Sequence, residues 1–276
     1  MNDLQPIRKI LVCPACRGNL NMDGDEIECS SCRRVYPLHE NIPQFSIFQN
    51  NAAAGNEIGE APANDYEQRY LDFEKARNYN LKYERKLLKR LSTKREYQIL
   101  ERLLRTQRPC KTMLEIPCGG GRISSRLAGT TDLLIEADIG LGQVLYGISH
   151  TKLNIPQIWM TASAFSIPLR DASVDAAVCI RLSHHLATSE QREGLLAELL
   201  RVAKRYVIMT FFDYFSIKNL LRMVRQKRPK LTMTTSQISR LAAEHGSTLL
   251  SCPRLSLIGS GHRYALVVKN NSPSAK

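Results

Sequence analysis

The sequence predicts an α/β protein in which a mostly parallel sheet is covered by helices and preceded by a small zinc ribbon. Three observations carry this. Beyond residue 110, apolar runs of strand length alternate with amphipathic segments of helix length, the pattern of a parallel sheet with crossover helices. A glycine-rich turn, Gly119-Gly120-Gly121, follows the first of these runs. Four of the eight cysteines form two C-x2-C pairs before residue 33.

The length of 276 residues suits one large domain with a small appendage. Apolar runs such as Ala176–Ile180 and Tyr206–Met209 fall far short of the roughly 18 residues that a membrane-spanning helix needs. The N-terminus reaches Cys13 without an apolar signal region, so a cytoplasmic location is expected. The net charge of +13 points to an anionic partner. Residues 66–108 carry thirteen Lys and Arg against six Asp and Glu, and residues 201–230 carry nine against one. Interspersed carboxylates make the first stretch read as solvated helix faces. The second, with Arg222, Arg225, Lys227, Arg228 and Lys230 almost uncompensated, reads equally as a solvated or a functional basic face.

Cys13, Cys16, Cys29 and Cys32 have the spacing of a single tetrahedral thiolate site, the shell that structural zinc prefers. Pro14 and Gly18 favour the first turn, and Asp23-Gly24-Asp25 is a hairpin signal between short strands. Two disulfides are the competing reading, disfavoured in a chain without an export signal. Four thiolates close the shell, so the metal is structural and not catalytic. His39 reads as a surface histidine. The segment from Leu11 to Phe45 resembles the zinc-ribbon domain of Trm112-type proteins, which gives a ribbon over residues 1–48. Residues 49–64, rich in Asn, Ala and Gly, have linker composition. The remaining domain, 65–276, opens with a helical extension in which Leu87, Leu88, Leu91, Ile99, Leu100, Leu103 and Leu104 recur at spacings of three and four. These helices either cap a cleft or brace the sheet.

From Lys111 the chain runs from an apolar strand through the glycine turn into a helix, a geometry that lets backbone approach a ligand closely. A dinucleotide motif would place its third glycine where Ser124 stands, which weakens a nicotinamide reading. Asp138 ends the next strand, placed to accept ribose hydroxyls of a nucleoside ligand. Strands are expected at Val174–Ile180, Arg205–Phe211, Thr248–Cys252 and Arg263–Lys269, and helices at Ser189–Val202 and Thr235–His245.

With Leu114-Glu115-Ile116-Pro117-Cys118-Gly119-Gly120-Gly121-Arg122, Asp138, and the stretch from Thr161 to Leu186 in order, the chain resembles the class I S-adenosylmethionine-dependent methyltransferases. The resemblance implies a Rossmann-like seven-stranded domain whose final strand pair forms a reversed edge, and S-adenosylmethionine as cofactor. It places Glu115 near the methionine amino group, Gly119 and Gly121 against the cofactor backbone, Asp138 on the ribose, and Ile139, Ser163 and Ala164 beside the adenine. Pro117 stands where the family has glycine, and Ser163 where it often has Asp.

Methyl transfer needs positioning and at most one proton acceptor. Candidates are His184 and His185 after the fourth strand and Asp213 and Tyr214 after the fifth. Ile180-Arg181-Leu182-Ser183 lacks the Asn/Asp-Pro-Pro-Tyr/Phe motif of exocyclic amino methyltransferases. Three readings of function stay open. The enzyme methylates an O or N atom of a small or envelope-type anionic substrate, with the basic segment as a lid and peripheral membrane contact through residues 211–230. It methylates RNA. Or the fold is a non-catalytic scaffold or activator.

Overall fold

A computed structural model describes residues 2–22, 26–50, 58–60, 73–85, 87–226, 232–256 and 260–270. The N-terminal sheet comprises β1 (Leu20–Asn21), β2 (Glu26–Cys29), β3 (Arg34–His39), β4 (Ile42–Pro43), β5 (Ile47–Asn50) and β6 (Ile58–Glu60), in the order β1-β2-β3-β5-β6 with β4 paired to β3. The expected hairpin is present: Leu20 pairs with Cys29 and Asn21 with Glu28. Its turn residues Asp23, Gly24 and Asp25 lie outside the described residues. The segment 49–64 departs from its linker composition. Gln49 and Asn50 end β5, and β6 pairs with β5 antiparallel, so part of it extends the ribbon sheet. Backbone pairing does not require bulky side chains, and composition alone hides it.

The large sheet has the order β12-β13-β11-β10-β7-β8-β9. Its strands are β7 (Cys110–Glu115), β8 (Thr131–Asp138), β9 (Gln157–Thr161), β10 (Val174–Cys179), β11 (Ala203–Phe212), β12 (Ser247–Ser251) and β13 (His262–Lys269). All neighbours from β9 to β11 run parallel, and β13 runs antiparallel to both β11 and β12. The reversed strand therefore lies one position in from the edge, with β12 outside it. The central strands β10 and β11 are buried on both faces and read as nearly unbroken apolar runs.

The helices are α1 (Phe73–Arg85), α2 (Leu87–Arg105), α3 (Ser124–Leu127), α4 (Leu141–His150), α5 (Ser189–Val202), α6 (Ile217–Val224) and α7 (Thr235–Glu244). Two of them begin at capping boxes. Thr188 and Gln191 satisfy each other's backbone amides at α5, and Thr234 and Gln237 do the same at α7. In α2, Ile99, Leu100, Leu103 and Leu104 are buried against Met113, Ile123 and Leu127, so this helix braces the sheet. Leu91, expected on the same apolar face, is exposed. No helix among the described residues is long and apolar enough to cross a membrane.

The ribbon packs directly on the sheet. Val12 donates to the Pro168 carbonyl at 3.1 Å, Arg170 to Ile10 at 2.8 Å and Phe45 to Thr161 at 2.9 Å. Arg17 faces Glu198 at 3.6 Å. Ile7, Leu11, Tyr36 and Phe45 share one apolar core with Ile135, Ile158 and Leu169 of the larger domain.

Candidate functional site

The four ribbon thiols lie within 4.8 Å of one another. Cys13 and Cys32 sulfurs are 3.6 Å apart, Cys16 and Cys29 sulfurs 3.4 Å, and all are free thiols. The two knuckles are built alike. In each, the residue after the second cysteine or its equivalent, Arg17 or Arg33, adopts a left-handed conformation and donates back to the first cysteine's carbonyl. Sulfur donors at this mutual distance suit a tetrahedral metal, and four thiolates are the donor set of a structural zinc. His39 is exposed and is not part of the cluster.

In the large sheet, the strand order reverses between β7 and β10, so their carboxyl ends open a crevice at the topological switch point. A cavity of about 80 Å³ lies there, walled by Glu115, Gly119, Arg122, Asp138, Ile139 and Arg181 among others. Gly119, Gly120 and Gly121 all have positive φ, between 54° and 81°, a run that only glycine sustains without strain. A Cβ at Gly120 or Gly121 would collide with Asn80 or Thr151, whereas one at Gly119 would meet nothing within 4 Å. The loop thus presents bare backbone to open space at Gly119. The peptide bond between Ile116 and Pro117 is cis, and Pro117 itself lines the cavity.

Asp138 anchors this loop. Its carboxylate accepts the Gly119 amide at 2.9 Å and the Gly140 amide at 3.1 Å. Burial pushes its pKa up to about 6, against the opposing pull of the Gly140, Gly119 and Ile139 amides. Glu115, at the end of β7, sits opposite Glu136 on β8 in the strand register. Both are buried, and burial with mutual proximity holds Glu115 well above the usual carboxylate range. Ser124 donates to Glu115 at 3.3 Å.

Across the cavity stand Arg122 and Arg181, both bound to Glu96 of α2. The Glu96 carboxylate accepts Arg122 at 2.7 Å and Arg181 at 2.9 Å. Burial alone would raise the Glu96 pKa, but the two guanidiniums hold it down to about 2. Two cations against one anion leave the wall with net positive charge.

Of the residues expected from sequence, Glu115, Gly119, Asp138 and Ile139 meet in this cavity, and Gly121 faces a neighbouring cleft with Tyr97 and Tyr146. Ser163 and Ala164 are not among the lining residues of either. The loop carrying them folds on itself, with the Phe165 amide donating to Ser163, while the Ser166 hydroxyl donates to the Pro14 carbonyl of the ribbon. Ser46 of the ribbon lies 2.8 Å from Thr161 Oγ1 and 3.3 Å from the Ile139 carbonyl. His184 and His185 form a turn after β10 with ring centroids 4.0 Å apart, and His184 meets His262 edge-on at 4.6 Å. Asp213 is buried beside Arg263 and Arg254, at 3.5 and 4.0 Å, and Tyr214 is partly exposed. None of the expected base candidates lines the cavity at the switch point.

Sequence reasoning missed Glu96, Glu136, Arg181 and Ser46. The acidic residue inside an otherwise apolar β8 was a signal for Glu136. For Glu96 and Arg181, 85 residues apart, the sequence holds no pairing signal.

Residues 114–211 match the methyltransferase-domain family, and residues 9–41 match the Trm112p-like family. A 56-residue stretch is 36% identical to a UPF0434 protein of Idiomarina loihiensis, covering 20% of this chain and 86% of that protein. The magnesium protoporphyrin IX methyltransferase of Synechocystis PCC 6803, solved with S-adenosylhomocysteine bound, superposes with a TM-score of 0.60 at 14% identity. That match covers 75% of this chain and all of that one. A structure of a complex between the Haloferax volcanii Trm112 methyltransferase activator and a methyltransferase matches with a TM-score of 0.51 at 11% identity, over 66% of this chain and 93% of that one. At these identities the likeness is one of fold.

Proposed function

We propose that this chain, which carries a methyltransferase domain over residues 114–211 and a Trm112p-like domain over residues 9–41, is an S-adenosylmethionine-dependent methyltransferase that methylates an O or N atom of a small or envelope-type anionic acceptor. The observation that carries the reading is the meeting of Glu115, Gly119, Asp138 and Ile139 with the Arg122 and Arg181 wall in one cavity at the switch point. Residues 1–48 form the ribbon unit in this reading and residues 65–276 the catalytic unit.

The residues present fit the cofactor. The bare Gly119 backbone, with room where a Cβ would stand, admits close approach of the ligand's main chain. Asp138 accepts the ribose hydroxyls through lone pairs that its amide contacts leave over. Glu115 receives the methionine amino group, and Ile139 packs beside the adenine. The bound cofactor supplies a methyl group already activated on a sulfonium. What remains for the protein is orientation and exclusion of water. Arg181 and Arg122 hold the acceptor's anionic group, with Glu96 fixing both guanidiniums in place. Ser46 ties the ribbon to the adenine end of the pocket.

RNA is the second acceptor class. The basic excess of residues 201–230 favours it, but the positive wall in the cavity suits a compact anion better than an extended backbone, and the ribbon carries a net charge of minus one over residues 1–45. Calorimetric titration with S-adenosylhomocysteine tests the premise and excludes the scaffold reading when binding is saturable. An Arg181→Ala variant that binds S-adenosylhomocysteine normally but loses acceptor affinity supports the assignment of the wall. Equal acceptor affinity in that variant contradicts it.

A further inference from the structure

Helix α6 is built inside out. Ile217, Leu220, Leu221 and Val224 follow the i, i+3, i+4, i+7 spacing by which a helix lays an apolar stripe on a core. Here that stripe faces solvent: Leu220 is 58% exposed and Val224 72%. Phe215, just before the helix, is also 72% exposed. The side that faces the protein is polar. Asn219 is fully buried, donates its side-chain amide to the Tyr214 carbonyl at 3.2 Å, and takes its backbone cap from Ser216. At about 100° per residue, Asn219 points roughly 150° away from the centre of the apolar stripe. The inverted orientation is thus fixed by a hydrogen-bonded anchor.

Cations flank the stripe. Lys218 and Arg225 are exposed and Arg222 half-exposed, all on one side of the helix. The only carboxylate between residues 201 and 230 is Asp213, which is buried beside Arg263 and Arg254. A contiguous exposed apolar face marks an interaction surface. Bordered by Lys218 and Arg225, it fits the acyl and headgroup boundary of an anionic bilayer, where apolar side chains enter the hydrocarbon and cations meet phosphates. A second copy of this chain would bring the same cations face to face, so charge disfavours self-association.

We propose that α6, with Phe215, is a membrane-docking helix for anionic lipid surfaces. It follows β11, which ends on the side of the sheet where the cofactor cavity opens, so docking sets that side against the bilayer. The proposal stands on α6 and does not depend on the identity of the acceptor.

Flotation of the full chain with phosphatidylcholine vesicles, with and without phosphatidylglycerol, tests it. The wild type floats with the anionic vesicles and stays behind with the neutral ones. A Leu220→Ser/Val224→Ser variant partitions about tenfold less, since each side chain contributes to burial in the acyl region. A Lys218→Ser/Arg225→Ser variant loses binding at lower salt than the wild type. Normal titration of both variants with S-adenosylhomocysteine shows that they are folded. The proposal is overturned if the wild type ignores anionic vesicles or if the serine variant floats equally well. It is also overturned if sedimentation shows a wild-type dimer that the Leu220→Ser/Val224→Ser variant dissolves.

Discussion

Asp138 accepts the Gly119 amide at 2.9 Å, joining the end of the second parallel strand to the one glycine of the loop that faces open space. Because burial raises this carboxyl to about 6, its charge state changes just below neutrality. Ribose hydroxyls donate more strongly to the ionised form. Affinity for S-adenosylhomocysteine is expected to rise as pH increases from 5 through about 6 and then level off. In Asp138→Asn it should be about tenfold weaker above that pH and flat across the range, as measured by calorimetry.

The glycine loop gives a second prediction. Gly121→Ala would place a side chain at φ 77° against Thr151, whereas Gly119→Ala at φ 54° meets only space in the protein but intrudes on the ligand. Gly121→Ala should destabilise the fold by about 1–3 kcal/mol in urea titration. Gly119→Ala should cost less stability and more cofactor affinity.

Glu96 holds two arginines in a buried position, and removing it leaves both guanidiniums close together without their anion. Glu96→Ala should lose about 3–5 kcal/mol in denaturant unfolding. The folded-state pKa is about 2, below the ordinary value of 4.5. The contribution of Glu96 is therefore fully present above pH 4.5 and is lost as pH falls toward 2. Glu96→Gln should flatten that part of the acid-denaturation profile.

Zinc removal should reach the cofactor site. Strong chelators, or Cys29→Ser at a buried ligand, are expected to unfold the ribbon, since metal binding and folding of such a domain are one equilibrium. Because Ser46 and Phe45 of the ribbon bond to Thr161 and the neighbouring Ile139, cofactor affinity should fall with them. Thermal unfolding followed with and without S-adenosylhomocysteine reads both effects.

Much of this fold was legible in the sequence because local rules determine it. The C-x2-C spacing and the glycine turn each act within a few residues. Helix α5 accordingly spans Ser189–Val202 as expected, and β10 and β11 differ from expectation only at their ends. What the sequence hid is long-range or directional. Glu96 and Arg181 meet only after α2 packs across the sheet. The apolar stripe of α6 is visible as a periodicity, but periodicity does not state that the stripe faces outward. Ser163 and Ala164 stand on a loop whose Ser166 bonds to Pro14 of the ribbon, a contact that depends on how two domains dock.

The most direct test of the methyl-transfer account uses S-adenosylmethionine with a radiolabelled methyl group, fractionated cell extract with and without nuclease, and Asp138→Ala beside the wild type. The account predicts nuclease-resistant label in the small-molecule or envelope fraction, lost in the variant. Nuclease-sensitive label would contradict the proposed acceptor in favour of RNA, and label unaffected by Asp138→Ala would contradict the assignment of the cofactor pocket.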